Sequence, residues 1–170
     1  MDTSFHQRFV EIFNADYARV FRYLDRLSGD PELAADVAQE AFVRLYRRGS
    51  LPDAPTAWLI SVAMNLFRNE RARHARRRRL LTVERGERAM AEPAPSPYDA
   101  VAGGESRDRV RAALDRLAER ERQLLLLRAE GYAYSDIARA LELNEASVGT
   151  LLARAKRAFR EAWEEPVHAS

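Results

Sequence analysis

The chain contains no cysteine among its 170 residues, which excludes disulfides and metal sites built on thiolates. It also lacks any apolar stretch near the roughly 20 residues that a membrane-spanning helix requires. Residues 1–13 show no basic region followed by a long apolar run, so we expect no signal peptide. These absences favour a cytoplasmic protein without a membrane partner.

Net charge is almost absent as well, because 28 Lys and Arg residues face 26 Asp and Glu residues, which leaves +2. Hydrophobic residues nevertheless make up 46% of the chain, enough for ordered structure. The informative feature is therefore where the charges lie. Residues 68–79 hold seven arginines against one glutamate, a local excess larger than the net charge of the whole chain.

Helical periodicity accounts for the first half of the sequence. Apolar residues recur at helical spacing through 4–28, and Asp30 suits the N-cap of a second helix ending near Arg48. A loop rich in glycine and proline, 49–55, precedes a third helix that includes Trp58. Three helices with short connections predict one compact all-α unit.

The helical pattern stops at residues 86–107, where three prolines within five residues and two adjacent glycines predict a flexible linker. Periodicity returns near Asp108. We therefore expect an all-α protein with two small helical domains, 1–85 and 108–165, and no strand of convincing length.

The end of the second unit has the pattern of a helix, a tight turn and a helix. Asn144 can cap the last helix, and over 145–163 the apolar residues share one side. Small and hydroxyl side chains on the other side can approach base edges, and basic ones can bind phosphates or guanine, as in a helix-turn-helix. The alternative is an ordinary solvated basic face. The candidate DNA-binding residues are Ser147, Thr150, Arg154 and Arg157, flanked by Lys156 and Arg160.

A second candidate DNA surface lies in the third helix. Over 58–73 the apolar residues share a wide arc, and polar residues that can donate to bases or phosphates occupy the other. Crowded arginines repel one another, so a nucleic acid is the favoured partner, with a solvated tail or an anionic membrane surface as alternatives. Trp58 suits either the core or stacking on an unpaired base. The candidate residues are Trp58, Ser61, Asn65, Arg68, Asn69, Arg71 and Arg73.

Four stretches of the chain, in this order, carry a family resemblance. The first unit has "GDPELAADVAQEAFVRLYRR" at 29–48 and "AWLISVAMNLFRNERAR" at 57–73. The second has "LAERERQLLLLRAEGYAYSDIARAL" at 117–141 and "ASVGTLLARAKRAFR" at 146–160. They resemble the extracytoplasmic-function (ECF) sigma factors of bacterial RNA polymerase, which implies sigma domain 2 in the first unit and sigma domain 4 in the second.

The resemblance implies a partner for each surface. Domain 2 of the family docks on the β′ clamp helices of core RNA polymerase and melts the minus-ten promoter element, and its loop, here 49–55, captures an unstacked base. Domain 4 binds the minus-thirty-five element and docks on the β flap. Residue patterning alone would assign the polar arc of the second helix to solvent, but the resemblance makes it the polymerase-binding face. Its members are Asp36, Gln39, Glu40, Arg44 and Arg47.

By the same resemblance, the third helix reads the minus-ten element and the last helix the minus-thirty-five element. Family members often bind an anti-sigma factor, and they need no cofactor, metal or small-molecule substrate. Some positions depart from the family. Gly149 and Leu151 stand where Lys and Arg are frequent, and Glu142 stands where the turn usually has glycine. Ala133 replaces a capping serine, which leaves Ser135 as the expected cap.

Three other functions are alternatives to a sigma factor. A stand-alone helix-turn-helix regulator would share the C-terminal unit, but it has no need of the polar arc on the second helix. An enzyme is disfavoured, because the sequence has no nucleophile–base pair, metal-ligand cluster or glycine-rich phosphate loop. His6, His74 and His168 are scattered and are expected to be solvated. A relative that has lost promoter activity and acts through protein contacts is the third.

Overall fold

The computed structural model describes residues 2–85 and 104–165, which belong to two compact units. Within those residues there are seven helices and no strand, which confirms the all-α class. The first unit contains α1 (Thr3–Ser28), α2 (Pro31–Arg48) and α3 (Pro55–Arg85). The second contains α4 (Gly104–Asp115), α5 (Glu119–Ala129), α6 (Tyr134–Leu141) and α7 (Glu145–Glu164).

The boundaries of α2 follow from its capping residues. The Asp30 carboxylate accepts a hydrogen bond from the Leu33 N–H at 3.1 Å, as the sequence predicts. Pro31 occupies the first turn, where its fixed φ is an advantage. The helix ends at Arg48 and is capped by Gly49, whose φ of 72° favours glycine and whose N–H donates to the Tyr46 carbonyl at 3.1 Å.

The core of the first unit lies between its three helices. α1 packs on α2 through aromatic rings, with centroids 5.2 Å apart for Phe13 and Phe42 and 5.1 Å apart for Phe9 and Tyr46. α3 completes the core with its buried first half. The residues with no exposed surface include Leu24, Leu45 and Leu59.

Helix α3 is longer at both ends than the stretch 58–73 over which apolar residues share an arc. It begins at Pro55, the last residue of the predicted loop 49–55, because proline suits the first turn and the Trp58 N–H already donates to the Ala54 carbonyl at 2.9 Å. It continues to Arg85, although Leu80 is 66% and Val83 is 85% exposed. Apolar periodicity cannot reveal a helical segment that buries no face, so over 58–73 it defines only the buried half of α3.

Helix α4 also starts earlier than predicted, at Gly104 instead of near Asp108, inside the segment assigned to the linker. All residues of its first two turns are exposed, so no buried side chain marks the start. Glu105 in the first turn interacts favourably with the helix dipole. Residues 86–103 lie outside the described part of the chain.

The second unit ends in a helix-turn-helix made of α6 and α7. The Asn144 side chain accepts from the Ala146 N–H at 3.1 Å, which confirms it as the cap of α7. The prediction for α6 is wrong, because its N-cap is Ala133, which makes no side-chain hydrogen bond. Ser135 is already the second residue of that helix, whereas a capping side chain belongs to the non-helical residue before it.

Helix α4 is held against the C-terminal end of α7 by two arginines. The Arg109 guanidinium carbon lies 4.3 Å from the centre of the Trp163 ring. Arg116 Nη1 donates to the Ala162 carbonyl at 3.2 Å and to Glu165 Oε2 at 3.1 Å. These contacts hold the C-terminal end of α7 against α4. The exposed basic face of α7 therefore lies on a helix that is packed at this end.

Candidate nucleic-acid interface

The polar arc of α2 lies on the surface of the first unit. Asp36, Gln39, Arg44 and Arg47 are exposed, and Glu40 is half-buried. Arg44 Nε donates to Glu40 Oε1 at 3.0 Å. At such exposure this i,i+4 pair contributes only roughly a few tenths of a kcal/mol to the stability of the fold. This arc is therefore open to another protein, and its side chains do little to hold the fold together.

One line of side chains along α3, the α3 stripe, presents polar groups outward. It consists of Trp58, Ser61, Asn65 and Arg68, spaced three or four residues apart and hence on one helix face. Trp58 and Ser61 are half-buried, whereas Asn65 and Arg68 are exposed. Arg68 Nη1 donates to Asn65 Oδ1 at 3.4 Å, which orients the free amide donors of Asn65 away from the arginine.

The remaining predicted residues of α3 do not all share that face. Asn69 is exposed beside the stripe, and exposed Arg73 pairs with Glu70 at 3.2 Å. The guanidinium carbon of Arg71 lies 5.5 Å from the centre of the Phe67 ring, so this side chain turns from the stripe toward the buried side of the helix. The structure thus brings Arg68 and Asn69 to the stripe and leaves Arg71 elsewhere.

The unbroken helix adds two arginines that the candidate list omits. Because α3 continues to Arg85, the three- and four-residue spacing of the stripe extends through Ala72 to Arg76 and Arg79, both exposed. Helical spacing applied beyond residue 73 would have found them. Their position extends the positive charge of the stripe along the helix.

The start of α3 is tied to α1 by a buried carboxylate that sequence reasoning missed. Asp16 is only 6% exposed. Its Oδ2 accepts from Thr56 Oγ1 at 3.1 Å, and its Oδ1 accepts from Arg19 Nη1 at 3.2 Å. Thr56 is the second residue of α3, one residue after the loop that begins at Gly49.

All six predicted residues of α7 are exposed. Ser147, Thr150, Arg154 and Arg157 form one line at three- and four-residue spacing, with small groups near the helix start and cations further along. Helical spacing places Lys156 and Arg160 along one edge of that line. Gly149 lies on the same edge, where an added Cβ would be 3.7 Å from Cε2 of Tyr134.

His6 and His74 lie apart from each other, on α1 and α3. His6 is exposed, with its ring 6.3 Å from that of Tyr46, and His74 is half-buried among exposed arginines. His168 lies outside the described residues. In the parts of the chain that the structure describes, no three His, Asp or Glu residues are placed to hold a metal ion. No helix in those parts is long and apolar enough to cross a membrane.

Comparison with known proteins assigns both units to one family. The family models for Sigma-70 region 2 and Sigma-70 region 4 match residues 12–77 and 107–159. The ECF RNA polymerase sigma factor SigL of Mycobacterium tuberculosis is 30% identical over 170 residues, which cover 91% of this chain and 88% of SigL. The chain belongs to the ECF RNA polymerase sigma factors.

Two further sigma factors define the extent of the likeness. SigE of Mycolicibacterium smegmatis is 31% identical over 150 residues, which are 84% of this chain but only 56% of SigE, so this chain spans about half of that relative. The sigma factor RpoE of Bartonella quintana, solved in complex with the anti-sigma factor NepR, has a TM-score of 0.64 at 19% identity. It matches 95% of this chain and 97% of RpoE, and the likeness concerns the fold.

The matched regions coincide with the candidate surfaces. Region 2 contains the polar arc of α2 and the α3 stripe, and region 4 contains the basic face of α7. A stand-alone helix-turn-helix regulator would account only for the second match. The comparisons therefore support an ECF sigma factor and give no support to that alternative.

Proposed function

We propose that this ECF sigma factor binds core RNA polymerase, directs it to specific promoters and helps to melt the minus-ten element. The observation that carries this proposal is the pairing of two different surfaces within region 2. The polar arc of α2 has the mixed charge suited to a protein partner. The α3 stripe is followed by the arginine-rich part of the same helix, which is suited to DNA.

The polar arc of α2 is the proposed docking face for the β′ clamp helices. Its acidic residues Asp36 and Glu40 precede its basic residues Arg44 and Arg47 along the helix, so a partner of complementary charge would dock in one direction. Gln39 offers both a donor and an acceptor within that face. The β flap is the proposed partner of the second unit.

The α3 stripe and the loop 49–55 are the proposed minus-ten surface. Extrusion of a base from the duplex costs about a few kcal/mol in lost stacking and pairing. Half-buried Trp58 can offset part of this by stacking, and Asn65 can hydrogen-bond an exposed base edge. Phosphate binding is assigned to the cations of α3. Besides Trp58 and Asn65, the proposed minus-ten residues are Ser61, Asn69, Arg68, Arg71, Arg73, Arg76 and Arg79.

The exposed face of α7 is the proposed minus-thirty-five surface. Ser147 and Thr150 are short enough to let the helix enter the major groove, and Arg154 and Arg157 lie on the same line. Lys156 and Arg160 are assigned to phosphates at the edge. With the first domain at 1–85 and the second beginning at α4 rather than at 108, the two surfaces would read two promoter elements and add affinity through effective concentration.

The remaining parts of the proposal concern partners and location. An anti-sigma factor is a further candidate partner, because the B. quintana structural neighbour is solved in complex with one. Sigma factors act on polymerase as non-catalytic initiation factors. We therefore assign this chain no catalytic residue, cofactor, metal or small-molecule substrate, and we place its action in the cytoplasm.

A DNA selection tests the proposal directly. Fragmented genomic DNA would be incubated with the full chain, with core polymerase, or with both, and the retained fragments sequenced. We expect fragments sharing two spaced motifs to be retained only when both proteins are present. The same fragments retained by the chain alone would contradict the proposal and favour a stand-alone regulator.

A further inference from the structure

We propose that Asp16 is a positioning residue for promoter opening, and that it acts through Thr56. This inference rests on the proposed function of α3 and of the loop before it. Asp16 lies on α1, outside every surface assigned above to polymerase or DNA. Its role would be to fix where α3 begins, and hence where the minus-ten surface lies.

The geometry gives each carboxylate oxygen a separate partner. Oδ2 accepts from the Thr56 hydroxyl at 3.1 Å, across 40 residues of sequence. Oδ1 accepts from Arg19 Nη1 at 3.2 Å, one turn further along α1. The carboxylate is 9% exposed and its arginine partner 29% exposed, so little water can replace either bond.

The bond to Thr56 lies at the junction between loop and helix. Upstream, the loop leaves α2 at Gly49, whose N–H is bonded to the Tyr46 carbonyl. Downstream, the Trp58 N–H closes the first turn of α3 on the Ala54 carbonyl at 2.9 Å. The segment between these points is therefore anchored at both ends, and Asp16 supplies the tertiary anchor at the downstream end.

A buried carboxylate is an unusual choice for a purely structural contact, because burial of a charge is unfavourable unless it is fully hydrogen-bonded. At this place it has an electrostatic advantage, since the start of α3 carries the positive end of the helix dipole. The carboxylate also restricts the Thr56 side chain to one orientation. A preorganised loop loses less conformational freedom when it captures a base.

The test uses substitutions that preserve shape. Thr56→Val removes the hydroxyl and keeps the branched side chain, and Thr56→Ser keeps the hydroxyl. Asp16→Asn keeps an acceptor oxygen for Thr56 and removes the charge. Each variant would be measured for core polymerase binding, and for permanganate reactivity of thymines in a promoter recovered with the wild-type protein.

A control variant and a fluorescence measurement separate positioning from stability. Val20→Ala alters a 2% exposed residue of the same helix, so it lowers thermal stability without touching the Asp16–Thr56 bond. In a Trp163→Phe background, Trp58 is the one remaining tryptophan of the chain, and acrylamide quenching of its fluorescence reports on the start of α3 in the free protein.

We expect Thr56→Val to bind core polymerase within about twofold of wild type and to lower thymine reactivity roughly three- to tenfold, the effect of one lost hydrogen bond of ordinary net strength. Thr56→Ser should restore reactivity, and Asp16→Asn should fall between. Trp58 should become more accessible to quencher in Thr56→Val than in Thr56→Ser. Combining Thr56→Val with Asp16→Asn should add little further loss.

Full opening by Thr56→Val would overturn the inference. So would an equal opening defect in Val20→Ala at matched thermal stability, because the bond would then be structural only. If the wild-type complex itself produced no reactive thymines, the proposed function would fall and this role with it. That failure is distinguishable, since it appears with the wild-type protein before any variant is compared.

Discussion

The ring of Tyr134, at the start of α6, lies against Gly149 in the second turn of α7. A methyl carbon on Gly149 would be 3.7 Å from Cε2 of that ring, which is ordinary van der Waals contact. Arg128 in turn lies over Tyr134, with its guanidinium carbon 5.1 Å from the ring centre. The glycine is therefore not required by crowding, although it stands where the family often has a basic residue.

Gly149→Ala should stabilise the protein. Alanine loses less backbone freedom in a helix than glycine, by about 1 kcal/mol, and the new methyl group finds room beside Tyr134. Urea unfolding of the full chain, followed by circular dichroism, would measure the gain. Gly49→Ala is the matched control and should destabilise, since Gly49 has a φ of 72°. A loss of stability in Gly149→Ala would show that the helix is displaced by the methyl group.

Glu142→Gly should also stabilise the protein, for a different reason. Glu142 ends α6 in the left-handed region, with a φ of 56° and a ψ of 49°. A residue with a Cβ is disfavoured there by roughly 1 kcal/mol relative to glycine. Glu142→Ala keeps the Cβ and should bring no comparable gain in the same urea titration. Equal stability of the glycine and alanine variants would contradict the strain.

The double variant Asp36→Ala with Gln39→Ala should weaken binding to core polymerase, by about 1–2 kcal/mol if the two side chains lie near the centre of the interface. Both are exposed, so thermal stability should change little. Titration of the labelled chain with core polymerase would measure the affinity. Gln7→Ala with Glu11→Ala removes the same pair of groups from the exposed face of α1 and should bind normally. Unchanged affinity in the α2 variant would reject the docking face.

Arg154→Ala should reduce transcription from promoters that depend on the minus-thirty-five element. The loss of one arginine contact is worth about 1–3 kcal/mol at a base, or a drop of about 1 in the salt slope at a phosphate. Holoenzyme binding at several salt concentrations would distinguish these two contacts. A promoter whose upstream motif has been scrambled serves as control, because the variant should lose nothing there. Equal transcript yields on the intact promoter would reject the assignment of α7.

Asn65→Ala should hinder promoter opening more than initial binding. Asn65 is the exposed amide of the α3 stripe, so it can hydrogen-bond a base edge that becomes available only when the strands separate. Permanganate reactivity of promoter thymines would measure opening, and Asn14→Ala, an exposed amide on α1, is the matched control. Undiminished reactivity in Asn65→Ala would count against the stripe.

The parts of the fold that the sequence predicts are those governed by local rules. Asp30 and Asn144 predict where α2 and α7 begin because a capping side chain acts on neighbouring backbone groups. The faces of α2 and α7 follow from periodicity because each helix buries one side. The cap of α6 was misassigned because a serine near a helix start does not reveal which residue is the last non-helical one.

The features that were missed depend on tertiary contacts or on exposed helix. Nothing near Asp16 in the sequence marks Thr56 as its partner, because the two residues meet only when α1 packs against the start of α3. None of the side chains described at 68–83 is buried, so apolar periodicity did not follow α3 past Phe67 and the alignment of Arg76 and Arg79 with the stripe was missed. The position of Arg71 over Phe67 likewise follows from the folded helix.

The central claim is that this chain gives RNA polymerase its promoter specificity. The most direct measurement is transcription of fragmented genomic DNA by core polymerase, with and without the chain, followed by sequencing of the transcript 5′ ends. We predict discrete starts that appear only with the chain and share two upstream motifs. The same set of starts with and without it, despite active polymerase, would contradict the account.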